Sequence, residues 1–77
     1  MQFCIVDIKV KIGKHIKSLR NDKGLTQEKL SYESDIDKTY ISEVENGKRN
    51  ISVINLEKLI TTLGSTAKEF FNHKDFE

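Results

Sequence analysis

The chain has 77 residues, 32% charged and 36% hydrophobic, with a formal net charge of +1; it reads as one domain over residues 1–77, near the size where a lone core is marginal. Its one cysteine, Cys4, excludes an internal disulfide, points to a reducing cytoplasm, and with His15 and His73 far apart leaves no metal-ligand or cofactor pattern. No apolar run nears the ~18 residues of a membrane span, and Met1 to Val10 carries Asp7 and does not read as a signal peptide, so stability falls to helix packing and a partner subunit.

At the start, Phe3, Cys4, Ile5 and Val6 suit a short strand, a helix extension or a partner-binding arm, and residues 1–8 stay open among these. Ile12, Ile16 and Leu19 then recur at i, i+4 and i+7, with Ile8 or Val10 upstream. That spacing predicts an amphipathic helix over about 9–22, with Gly13 inside it and Gly24 closing it. This part is basic: residues 1–24 carry Lys9, Lys11, Lys14, Lys17, Arg20 and Lys23 against Asp7 and Asp22, a net +4, leaving −3 for the rest. Such a face either holds a phosphate backbone or is simply solvated. Thr26 suits an N-cap, with Glu28 in the positive first turn of a helix over about 26–34.

Asp37 caps the next helix, about 37–46, which shows only Ile41 and Val44 as buried positions and stops at Asn46-Gly47. Ser52 opens a helix over about 52–63 with the stripe Val53, Leu56, Leu59, Ile60 and Leu63, stopped by Gly64. Thr66 and Glu69 have capping-box spacing for a last helix over about 66–71 carrying Phe70 and Phe71. The expectation is an all-α, compact five-helix bundle.

The helices at about 26–34 and 37–46 are joined only by Asp35 and Ile36. A pair joined so tightly crosses at a large angle, which makes it a helix-turn-helix and pushes its second member outward. That member carries Lys38, Thr39, Ser42, Glu43 and Asn46 around a narrow apolar stripe. Most of its perimeter therefore faces solvent or a ligand, and the major groove of B-DNA admits a helix of this kind. Periodicity alone leaves both readings standing.

The run from Leu25 to Ser52, LTQEKLSYESDIDKTYISEVENGKRNIS, resembles the Cro/repressor-type helix-turn-helix family. Leu25-Thr26-Gln27-Glu28, Tyr40-Ile41-Ser42, Glu45-Asn46-Gly47-Lys48 and Leu56…Leu63-Gly64 fall at the family's spacing, so the likeness covers about residues 10–71. Lys38-Thr39-Tyr40-Ile41-Ser42, Arg49-Asn50-Ile51-Ser52 and the Phe70-Phe71 ending most resemble controller proteins of restriction–modification systems.

The resemblance implies a homodimeric regulator on a pseudo-palindromic double-stranded operator. Gln27 would hold a backbone phosphate at a helix N-terminus. Lys38, Thr39 and Glu43 would face base edges, with Ser42 a weaker candidate beside them. Tyr40, Asn46, Lys48, Arg49 and Asn50 would contact the DNA backbone. Arg20 and Glu45 match positions that pair across the domain and would set the angle of the recognition helix. Ile54, Phe70 and Phe71 together suit a dimer surface. Asp35 departs from the family's usual glycine in a left-handed turn, Ser31 and Ser34 replace frequent alanines, and Ser65 replaces an apolar residue.

An enzyme is not indicated: His15 reads as a surface residue on a basic helix, His73 lies in the tail, and Gly47-Lys48 lacks the rest of a phosphate-binding loop. The rival readings are an antitoxin-type or phage-type repressor and a helical protein-interaction module that does not bind DNA. For the last, Glu28, Glu33, Asp35 and Asp37 supply an acidic patch, which in an activator would meet RNA polymerase.

Overall fold

Side-chain oxygens start every helix. The computed structural model describes residues 7–73 and residue 76; of residues 1–8, left open among strand, helix extension and arm, residues 1–6 lie outside the described residues. Asp7 is not part of an arm but the N-cap of α1 (Ile8–Asp22), accepting from Lys9 N at 2.9 Å. Thr26 caps α2 (Gln27–Ser34) through Lys29 N at 3.0 Å, and Asp37 caps α3 (Lys38–Glu45) through Thr39 N at 2.9 Å. Ser52 caps α4 (Val53–Thr62) and Thr66 caps α5 (Ala67–Phe71), each accepting at 3.1 Å from the residue three further on. Each cap satisfies an N–H that the helix itself leaves unpaired. The expected spans 26–34, 37–46, 52–63 and 66–71 counted the caps as helix, and so overran by a residue at those ends. Among the described residues there is no strand.

The ends of α2 and α3 decide where α3 lies. Asp35 takes the left-handed conformation, φ 60° and ψ 35°, which a short polar side chain tolerates better than most. Ile36 follows it into the core and anchors the turn from below. At the other end Gly47 has φ +73°, with Gly47 N donating to Val44 O at 3.0 Å and Lys48 N to Glu43 O at 2.9 Å. This paired closure ends the helix sharply and turns the chain away.

One core cluster ties the helices together: Ile12 and Ile16 of α1, Leu30 of α2, Ile41 and Val44 of α3, Leu56, Leu59 and Ile60 of α4, and Phe70 of α5, with Ile36 and Leu63 from the turns. Each such side chain contributes roughly 1.5–3 kcal/mol relative to leaving it in water. Phe70 is fully buried within the chain. It therefore offers no side-chain surface to a partner, which corrects its assignment to the dimer face; the core needed a large apolar group from α5, and Phe70 supplies it.

Helices α1 and α3 meet at Gly13. A Cβ built there would fall on the carbonyl oxygen of Val44, with Glu45 O at 3.1 Å, so the two backbones touch where only glycine fits. The contact docks the middle of α1 against the C-terminal end of α3.

Candidate nucleic-acid interface

Beneath the interface is a buried ion pair. Arg20 Nε donates to Glu45 Oε2 at 2.7 Å and Nη2 to Glu45 Oε1 at 3.0 Å, with side chains 10% and 1% exposed. Arg20 Nη1 donates to Leu25 O at 2.7 Å, and Gln27 Nε2 donates to Glu45 Oε1 at 3.0 Å. A bidentate guanidinium–carboxylate pair has little angular freedom, so α1, α2 and α3 are locked at one crossing. Gln27 is thereby tied to α3, and its amide has a second N–H that this bond does not use.

Gln27, Lys38, Thr39, Ser42 and Glu43 line one shallow groove between the start of α2 and the outer face of α3. Lys38 and Thr39 are exposed, whereas Ser42 and Glu43 are half-buried. The eight residues of α3 make a rod about 12 Å long, close to the width of the major groove. Glu43 is not a bare carboxylate: Arg49 Nη1 donates to its Oε1 at 2.7 Å. The same guanidinium lies 4.8 Å from the Tyr40 ring centroid, a cation–π contact. Tyr40 in turn accepts from Ser52 N and donates to Asn50 O, both at 3.4 Å, so it staples the loop after α3 rather than standing out from it. Asn46, Lys48 and Asn50 are exposed along that edge.

Ile54 is 69% exposed and Phe71 40%; Val53, expected in the buried stripe of α4, is 82% exposed and stands outside the core. His15 is half-buried, not a plain surface residue: its ring lies 4.7 Å from Phe70 and 4.7 Å from His73, centroid to centroid. Sequence distance hid this, because the return of the chain over α1 brings the two imidazoles together. Among the described residues, no group of three or more His, Cys, Asp or Glu side chains could hold a metal. None of the described helices is long and apolar enough to cross a membrane.

Sequence reasoning also missed the Glu43–Arg49 bridge and the contact at Gly13. The i, i+6 spacing of the first has no helical meaning, and nothing in a lone Gly marks the second.

An outward-facing polar helix, held at a set angle by a buried ion pair and entered through a tight left-handed turn, defines a helix-turn-helix DNA reader. The chain belongs to the helix-turn-helix family of DNA-binding transcriptional regulators, whose family model matches residues 16–70. Control protein C.MunI from a Mycoplasma species is 48% identical over 67 residues, spanning 86% of this chain and 90% of the relative. The restriction–modification controller protein C.AhdI from Aeromonas hydrophila superimposes with a TM-score of 0.79 at 42% identity, over 83% of this chain and 97% of that one. Controller protein C.Esp1396I, solved as a tetramer with its natural 35 base-pair operator, gives a TM-score of 0.80 at 37% identity, over 87% and 88%.

Proposed function

We propose that this protein is the controller of a restriction–modification system, working in the cytoplasm as a homodimer on a pseudo-palindromic operator. The observation that carries the reading is the polar groove of Gln27, Lys38, Thr39, Ser42 and Glu43 on a helix braced by Arg20 and Glu45. The controller relatives support the class of target.

In this reading Lys38 donates to guanine O6 and N7, and Thr39 offers its hydroxyl or its methyl to a thymine. Glu43 accepts from cytosine N4 and enters the phosphate-lined groove with its charge offset by Arg49. Gln27, Tyr40, Asn46, Lys48, Arg49 and Asn50 set register on the backbone, which positions the protein without choosing sequence. The exposed Ile54 and Phe71 form the two-fold contact in this reading. A two-fold of this kind places two recognition helices one turn of DNA apart, about 34 Å.

Binding to the promoter fragment upstream of the gene, titrated by gel shift or anisotropy across a salt series, tests the reading. Affinity falls steeply with salt as counterions are released. Thr39→Ala relaxes preference at one base pair in each half-site, whereas Lys48→Ala weakens binding to all sequences alike. Equal losses on every sequence from both variants would remove the base-reading role of α3.

A further inference from the structure

A second groove opens where α1 passes the C-terminal end of α3. Val10, Lys14, Lys17, Ser18, Asn21 and Asp22 line it from α1, and Glu45 and Asn46 close it from α3. The α1 positions fall at i, i+4, i+7, i+8, i+11 and i+12, a single helical stripe. This stripe flanks Gly13 and Arg20, the two residues through which α1 grips α3. The lysines are therefore held at a set place beside the exit of the recognition helix.

The charges in the groove are unequal in availability. Glu45 is spent on Arg20 and Gln27 and is 1% exposed on its side chain. Lys9 pairs with Asp7, Lys29 with Glu33 and Arg49 with Glu43, yet among the described residues neither Lys14 nor Lys17 has a carboxylate within ion-pair distance. Both are exposed, as are Asn21 and Asn46. Asp22 is the one unquenched carboxylate on the rim, a turn beyond Lys17 and Ser18. An anion therefore sits best between Lys14, Lys17 and Asn46, away from Asp22.

Asn46 also connects this groove to the reading face. It lies one helical turn beyond Ser42 on α3, and Ser42 lines the groove that faces bases. A helix about as long as the major groove is wide brings its end to the wall of that groove, where the phosphate backbone runs. The geometry points to a second backbone-phosphate seat: Lys14 and Lys17, with Asn46, clamp the DNA strand that borders the base pairs read by α3. The inference rests on the DNA-binding reading and adds α1 to the footprint. It also gives the +4 of residues 1–24 a specific use rather than a diffuse one.

The test is a salt titration of Lys14→Gln, Lys17→Gln and the double variant on two probes, the upstream promoter fragment and a random-sequence duplex of equal length. Each phosphate contact contributes roughly 0.9 to the slope of log K against log salt. The double variant is expected to flatten the slope by about 2 per bound protomer on both probes. The promoter-to-random affinity ratio at matched salt stays as in the wild type, because phosphate contacts carry no sequence information. Lys23→Gln removes the same charge from a lysine lying against the Gly64 turn, and it leaves the slope unchanged. An unaltered slope in the double variant, or equal flattening by Lys23→Gln, overturns the seat while leaving DNA binding intact. Collapse of the affinity ratio overturns it too, since the lysines would then be reading bases. Wild-type protein that binds neither duplex removes the DNA-binding reading itself, and the seat with it.

Discussion

Gly13→Ala has a sign that two local effects dispute, and the structure decides between them. Gly13 lies inside α1 and is not among the residues with positive φ, so backbone preference alone favours alanine, by roughly 0.5–1 kcal/mol in a helix interior. Against that gain, the new Cβ lands on Val44 O and lies 3.1 Å from Glu45 O. Both are backbone atoms and cannot rotate aside, so α1 must lift from α3 or bend. Overpacking of this kind costs about 1–3 kcal/mol. Two immovable carbonyl oxygens against one Cβ put the cost in the upper part of that range, about 2–3 kcal/mol, so the net loss is about 1–2.5 kcal/mol, or a melting temperature lower by about 4–20 °C for a domain of this size. Thermal melts followed by circular dichroism, with a urea titration beside them, measure it. Lifting α1 also strains the Arg20–Glu45 pair, so affinity for the promoter fragment falls even well below the melting transition. A variant that melts at or above the wild-type temperature refutes the argument, because propensity would then have won and the backbones would not be in contact.

Four further outcomes follow from particular side chains. Glu45→Gln leaves Arg20 buried without its counter-charge and lowers stability by about 3–5 kcal/mol; a change below about 1 kcal/mol in urea would mean that the pair exchanges freely with water. Ser34→Ala removes a buried Oγ that has no hydrogen-bond partner among the described residues and raises stability by about 1 kcal/mol or more, with a higher urea midpoint as the readout and a lower one as the contrary result. Phe71→Asp weakens self-association in sedimentation velocity while the melt stays cooperative, whereas Phe70→Ala costs about 3–5 kcal/mol of fold stability; an unchanged association state in Phe71→Asp removes that side chain from the dimer contact.

What could be read in the chain beforehand, and what could not, divides along the range over which each signal acts. Asp7 aside, the caps Thr26, Asp37, Ser52 and Thr66 were legible because a cap is decided within three residues. The stripe of α4 was legible at Leu56, Leu59, Ile60 and Leu63 because its period repeats within the helix itself, but not at Val53, which sits at the first helical position and is 82% exposed. Phe70 and Phe71 were not separable, since adjacent aromatics on a five-residue helix give no stripe to choose between them, and the choice belongs to how α5 meets α1. Gly13 is the sharper case: alone it looks like a weak point in a helix, and only the crossing of α1 with α3 makes its missing side chain necessary. The Arg20–Glu45 pair came from resemblance, not from spacing, because twenty-five residues separate its members.

The outer face of α3 was legible for the opposite reason. A helix whose only aliphatic positions are Ile41 and Val44 leaves most of its perimeter unclaimed by apolar packing, and that inference needs no knowledge of the crossing angles; Glu45, buried against Arg20, is the exception. The same reasoning reaches Lys14 and Lys17. They lie off the apolar stripe of Ile12, Ile16 and Leu19 and outside every ion pair among the described residues. Sequence alone shows that packing does not need them; the docking of Gly13 and Arg20 onto the end of α3 supplies what sequence lacks, namely where on the molecule those unclaimed charges are held.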